Sequence, residues 1–199
     1  MSDIQKERTV VLIKPDGVKR GLIGELISRF EKMGLKIRAL KLVWIDEEIA
    51  KKHYPESRTE LMEAIGKKTL ENYEKYGRDP KEEFASIEPV EIGKMVNKWN
   101  IDFVTSGPVV ALLLEGVHAI DNVRGLVGHT LPVNAQAGTI RGDYSIDSPA
   151  LANLKGRSVR NLVHASGNAE EAKYEEQLWF KKGDFVDNYK RTDEDVMFE

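Results

Sequence analysis

His164 stands at the end of a short apolar run, just ahead of a helix that Asn168 is suited to cap. An imidazole titrates near neutrality, so a neutral ring with one nucleophilic nitrogen is available there. The helix N-terminus beside it favours bound anions. Lys14 closes an earlier apolar run, and Arg124, Arg141 and Asn161 fall near the ends of other predicted elements. Together these residue types suit phosphate chemistry. Each also has an ordinary reading: a lone histidine in such a place is commonly structural, and the others, taken singly, are solvated charges or loop hydrogen bonds. Spacing alone does not bring them together. Composition removes several alternatives. The chain has no cysteine, which excludes disulfides, thiolate catalysis and cysteine-ligated metal. A formal net charge of -3 argues against a general nucleic-acid or anionic-membrane surface, while leaving room for a local basic pocket.

The elements that must position these groups can be read from periodicity. Arg8 to Lys14 is β-branched and apolar and stops at Pro15-Asp16-Gly17, which predicts a buried strand ending in a turn. Leu22, Ile23, Leu26, Ile27, Phe30 and Met33 recur at helical spacing before Gly34, and Leu35 to Trp44 reads as a second strand. A short helix is expected from Asp46 to Tyr54. Residues from about 55 to 100 are rich in Lys and Glu, broken at Gly77-Arg78-Asp79-Pro80, and keep apolar anchors such as Ile92, Met95, Val96 and Trp99 on one helical face. They predict a helical insert packed on the body. Pro108 to Leu114 is apolar throughout, as expected of a strand covered on both faces. A helix from about Ala119 to Val127, a long Gly- and Pro-punctuated loop from Thr130 to Pro149, a short strand from Asn161 to Ala165 and a helix from Asn168 to about Trp179 complete the order. The order βαβ(insert)βαβα predicts an α+β, ferredoxin-like two-layer sandwich: a four-stranded, mainly antiparallel sheet with helices on one face, plus the insert. At 199 residues this is one domain. The N-terminus, Met1 to Thr9, has no apolar signal core, and no apolar run approaches the roughly 20 residues of a membrane span, so a cytoplasmic protein is expected.

Four stretches carry a resemblance: Lys14-Pro-Asp-Gly-Val-Lys-Arg-Gly-Leu-Ile-Gly-Glu, Ser106-Gly-Pro-Val-Val-Ala, Gly138-Thr-Ile-Arg-Gly-Asp-Tyr and Asn161-Leu-Val-His-Ala-Ser. With Leu178-Trp179-Phe180 and the closing Val196-Met-Phe-Glu, they resemble the nucleoside diphosphate kinase family, in the family's order and over nearly the whole chain. The resemblance implies transfer of the terminal phosphate of a nucleoside triphosphate to a nucleoside diphosphate by a ping-pong route through a phosphohistidine at His164. It matches Glu175 to the carboxylate that holds the other ring nitrogen, and Ser166 to a serine two residues past the nucleophile. Lys14, Tyr54, Arg124, Thr130, Arg141 and Asn161 match positions that hold phosphates, sugar hydroxyl and imidazole. It further implies Mg²⁺ carried on the nucleotide phosphates rather than in a protein cage. The partners it implies are nucleoside tri- and diphosphates and other copies of the chain, in a homo-oligomer, hexamer first and tetramer second.

The chain also departs from the family. The segment between Tyr54 and Ser106 is longer than usual and replaces the part that carries a base-stacking aromatic, so no residue is assigned that role. A second insertion spans about 146–160, just before the catalytic strand. Leu131 replaces the family's Asn before Pro, and Ala165 and Gly167 stand where Gly and Asp are common. Of the remaining histidines, His53 reads as a surface helix residue, His118 as the opening of a helix, and His129 as a phosphate-loop residue able to contact nucleotide. Two other classes compete: a catalytically silent nucleotide-binding protein, with insertions blocking the site, and a single-strand nucleic-acid binder using an exposed sheet. Near-neutral charge and strands without interleaved aromatic and basic residues count against the latter, and no specific nucleic acid is expected.

Overall fold

The computed structural model describes residues 6–197; residues 1–5, and Phe198 and Glu199 of the family-like terminus, lie outside the described residues. Four strands, β1 (Glu7–Ile13), β2 (Lys36–Val43), β3 (Val109–Gly116) and β4 (Val163–Ala165), form one sheet in the order β2-β3-β1-β4. Every adjacent pair is antiparallel. The helices are α1 (Pro15–Lys19), α2 (Ile23–Lys32), α3 (Glu47–His53), α4 (Thr59–Lys75) and α5 (Pro89–Thr105), then α6 (Ala119–Val127), α7 (Ile140–Tyr144), α8 (Pro149–Leu154), α9 (Ala169–Trp179) and α10 (Thr192–Met197). None of them is long and apolar enough to cross a membrane.

Alternation along the central strands sorts the core onto two faces. Val11, Ile13, Val110, Leu112 and Leu114 meet Leu26 and Phe30 of α2 and Val123 and Val127 of α6. This is the ferredoxin-like pair of layers. Val10, Leu12, Ala111 and Leu113 point the other way and meet Ala50 of α3, Ile101 and Val104 of α5, and Trp179 of α9. Helices therefore cover both faces rather than one, as the unbroken apolar sequence of β3 requires.

Two predicted loops contain helices. The Pro15-Asp-Gly turn is the start of α1, with Pro15 in the first turn, where a missing N–H costs nothing. Gly17 has no room for a side chain: a Cβ there would stand 2.8 Å from Ile13 Cγ2 and 3.3 Å from the Leu162 carbonyl oxygen. Within the stretch from Thr130 to Pro149 lie a 3-10 turn at Pro132–Asn134 and α7, the latter capped by Thr139 accepting from the Gly142 N–H at 3.1 Å.

In the segment from 55 to 100, α4 and α5 cross with their backbones in contact. A Cβ on Gly66 would lie 1.8 Å from the Pro89 carbonyl oxygen, and one on Gly93 1.9 Å from that of Met62. The pair carries its own small cluster of Tyr73, Phe84 and Ile92, flanked by Leu70, Val96 and Trp99. In the segment from 146 to 160, α8 packs on α4. Asp147 anchors this segment by accepting from Arg157 Nη1 at 2.6 Å and from the Arg160 N–H at 2.6 Å.

Candidate active site

The end of β1 and the start of β4 are joined by a few polar bonds. The Lys14 N–H donates to the Leu162 carbonyl at 2.8 Å, and Asp16 Oδ2 accepts from the Leu162 N–H at 3.0 Å. Leu162 is thereby held at φ 68°, a left-handed conformation that a leucine adopts only when its surroundings impose it. That residue shortens the predicted strand from Asn161–Ala165 to Val163–Ala165 and sets the direction in which β4 presents His164. The role of Asp16 was not read from the sequence; its place one residue after a strand-ending Lys-Pro was the available signal.

His164 is half-buried beside α9. Its Nε2 lies 2.7 Å from Glu175 Oε1, and the second oxygen of that carboxylate accepts from Ser166 Oγ at 2.6 Å. Ser166 Oγ in turn accepts from the Val10 N–H at 3.1 Å, so the chain of bonds is fixed to the central strand. Glu175 is only 5% exposed. With Glu175 accepting from Nε2–H, Nδ1 keeps its lone pair, and this nitrogen has no hydrogen bond among the described residues.

His53 corrects the sequence reading. It is buried, not on the surface, and its ring meets that of His164 edge-on with centroids 4.4 Å apart. Its Nδ1 accepts from Trp179 Nε1–H at 3.3 Å and lies 3.5 Å from Glu175 Oε1. Burial first, then the nearby His164 and Lys14, hold the His53 ring well below the usual histidine range, so it is a neutral wall. A signal was present: His53 follows Ala50 by three and Ile49 by four, on the core side of α3. His53, His164 and Glu175 bring ligand-type atoms within 4.8 Å of one another. Those of Glu175 and His164 are engaged in the bonds just described, which orient the nucleophile.

A cavity of about 240 Å³ opens beside His164 and is lined by Lys14, Tyr54, Arg124, Thr130, Arg141 and Asn161, among others. The structure thus gathers residues spread over more than a hundred positions of sequence. Lys14 Nζ donates to Asn161 Oδ1 at 2.8 Å, and Asn161 Nδ2 donates to the Thr130 carbonyl at 3.0 Å. Burial, with Arg141 beside it, brings the Lys14 ammonium down to about 8, Asp16 acting against the fall. Arg141 is stapled in place by bonds to three carbonyls, those of Asn161 (3.1 Å), Gly128 (2.8 Å) and Val163 (2.7 Å). Three of its five N–H donors are used there, which leaves two for a ligand. Burial and the neighbouring Arg124 lower it to about 10. Arg124 is exposed on α6, and its guanidinium has no hydrogen-bond partner among the described residues. The Tyr54 phenol is pushed upward by burial and by Glu175, so it stays neutral. Three cations around a single unbonded imidazole nitrogen suit a polyanion whose end must approach Nδ1.

A family model described as nucleoside diphosphate kinase matches residues 7–64 and 80–185. A nucleoside diphosphate kinase of Pyrobaculum aerophilum is 47% identical over 181 residues, covering 91% of this chain and 98% of that protein. A crystal structure of an NDP kinase from the same organism superposes with a TM-score of 0.88 at 45% identity, covering 92% of this chain and all of that one. A Borrelia burgdorferi nucleoside-diphosphate kinase, solved as a transition-state mimic with bound vanadate and ADP, superposes with a TM-score of 0.77 at 38% identity, covering 96% of each chain. With fold and sequence in agreement, the chain belongs to the nucleoside diphosphate kinase family.

Proposed function

We propose that this protein transfers the terminal phosphoryl group of a nucleoside triphosphate to a nucleoside diphosphate through a phosphohistidine on His164 Nδ1. The observation that carries the reading is the imidazole held at Nε2 by Glu175, with Nδ1 unbonded beside a pocket of three cations. In the first half-reaction the Nδ1 lone pair attacks the γ-phosphorus in line. The bond to the bridging oxygen breaks, and its electron pair leaves on the nucleoside diphosphate. The ring then carries positive character, which the Glu175 carboxylate balances across Nε2–H. Lys14, Arg124 and the free donors of Arg141 neutralise charge on the phosphate oxygens, the main demand of phosphoryl transfer. A second nucleoside diphosphate reverses the step.

Tyr54, Thr130 and Asn161 complete the phosphate and sugar contacts in this reading, and Ser166 is a positioning residue acting through Glu175. Among the described residues no carboxylate lines the pocket, so Mg²⁺ enters as part of the substrate, held by the nucleotide phosphates. The chain acts as one catalytic domain carrying helical insertions at about 55–100 and 146–160. It assembles as a homo-oligomer, hexamer first and tetramer second; the exposed apolar residues of the edge strand β2 support self-association. Incubation with γ-labelled ATP should give an acid-labile, base-stable phosphoprotein, and His164→Ala should abolish the label. Labelling that persists in that variant would remove His164 from this role.

A further inference from the structure

The loop that follows α6 lines part of the phosphate pocket, and two of its carbonyls are held by residues of the site. Arg141 Nη1 donates to the Gly128 carbonyl at 2.8 Å. Asn161 Nδ2 donates to the Thr130 carbonyl at 3.0 Å, while Lys14 Nζ holds the other end of that Asn161 side chain. Thr130 is exposed at the pocket, and neither its N–H nor its hydroxyl has a partner among the described residues, so both are donors open to a phosphate. A bond to the carbonyl alone does not fix where these two donors point. One further bond spans the residue: the Leu131 N–H donates to His129 Nδ1 at 3.0 Å. A backbone N–H can only donate, so Nδ1 is the acceptor and the ring proton sits on Nε2. The Leu131 carbonyl, 3.3 Å from the same Nδ1, then receives no proton from it. A side chain accepting from the N–H two residues on is the turn that Asn and Asp make with Oδ1, and histidine Nδ1 is the same number of bonds from its Cα. Leu131, which replaces the family's Asn before Pro132, has no polar side chain with which to hold the loop.

Resting on the kinase reading above, we infer that His129 is a positioning residue for phosphoryl transfer: its Nδ1 closes a turn across Thr130 and so directs the Thr130 N–H and hydroxyl into the phosphate pocket. A continuous set of bonds results. His129 fixes one side of Thr130, Asn161 fixes the other, and Lys14 is fixed by the same Asn161. The ring thus acts one step behind the nucleotide, through the backbone, and the nitrogen that faces the loop is spent on Leu131 and not on a ligand.

The test compares His129→Asn, His129→Gln, His129→Phe and His129→Ala with wild type, by kcat/KM with ATP as donor and GDP as acceptor. His129 is exposed, so the variants keep the fold. Asn presents its oxygen where Nδ1 stands and should restore most of the wild-type value. Gln carries its oxygen one bond too far, Phe keeps a ring without an acceptor, and Ala has neither. These three should lose roughly two- to tenfold, the worth of one ordinary hydrogen bond. Amide exchange at Leu131, followed by NMR without nucleotide, gives a readout independent of turnover: it should quicken in the Ala and Phe variants and slow again in the Asn variant. Activity kept by Phe and lost by Asn would overturn the proposal and assign the ring to direct contact with nucleotide. Activity unmoved in all four variants overturns it as well, even where Leu131 exchange changes. A wild type that forms no phosphohistidine overturns the kinase reading, and with it the role of His129 in transfer, whatever the exchange at Leu131 shows.

Discussion

At the scale of single residues, the site is a set of groups each held for one task. Lys14 is the group whose charge changes in an accessible pH range. With its ammonium brought down to about 8, it is cationic below that pH and neutral above it. Nucleotide capture should therefore weaken as pH rises through about 8, giving a basic limb in kcat/KM, which reports the free enzyme. Lys14→Arg keeps its charge at higher pH; its overall rate should fall because the geometries differ, while the basic limb moves upward. A limb at the same pH in both proteins would assign it to another group. Glu175→Gln keeps an oxygen facing Nε2 but loses the charge that balances the phosphorylated ring. It should slow phosphoenzyme formation by about tenfold or more, by analogy with other orienting carboxylates, as measured by rapid quench. The residues matched from sequence, His164, Glu175, Ser166, Lys14, Tyr54, Arg124, Thr130, Arg141 and Asn161, stand together around one cavity or directly behind it. What sequence did not reveal is how they are held. Arg141 uses most of its donors on backbone carbonyls, Asp16 fixes Leu162, and His53 forms the wall behind the nucleophile. These are long-range contacts without a periodic trace, and His53 was misread because its polarity outweighed its place on the core side of α3.

At the scale of elements, β1, β2, β3, α2, α6 and α9 were legible because apolar periodicity and caps agree with the tertiary contacts they make. The boundaries that moved did so for local reasons. β4 is shortened by the left-handed Leu162, and the Pro15-Asp-Gly turn is a short helix. The helices of the first insertion were legible as helices, but their crossing was not, since it rests on two glycines that periodicity treats as neutral. Gly66 and Gly93 let α4 and α5 touch backbone to backbone. A methyl group on Gly93 would have to push α4 away, because the atom it meets is a carbonyl oxygen and not a flexible side chain. Gly93→Ala should cost about 1–3 kcal/mol and lower the thermal midpoint by roughly 2–10 °C. A melt indistinguishable from wild type would show that the crossing tolerates a side chain.

At the scale of the whole molecule, the sheet has two edges, and they differ. β4 is three residues long, while β2 presents Leu40 and Leu42, followed by Trp44 just past its end, Leu42 being 62% and Trp44 66% exposed. An apolar edge strand of this length is a surface for pairing with another chain. Leu42→Glu should lower the mass seen by light scattering from that of an oligomer towards that of a protomer, with the phosphorylation site intact. A wild-type protein of monomer mass at micromolar concentration, or an oligomer indifferent to Leu42→Glu, would take β2 out of the assembly. The small cluster of Tyr73, Phe84 and Ile92 has a separate consequence at this scale. It lies apart from the two clusters that clasp the sheet, so α4 and the first turns of α5 form a unit able to open while the sheet stays closed. Amide protons of α4 would then exchange with solvent sooner than those of β1 and β3. On warming, the molecule would pass through a range in which the first insertion has come loose while the sheet still holds His164 in place, so phosphorylation of the histidine would outlast the protection of the α4 amides.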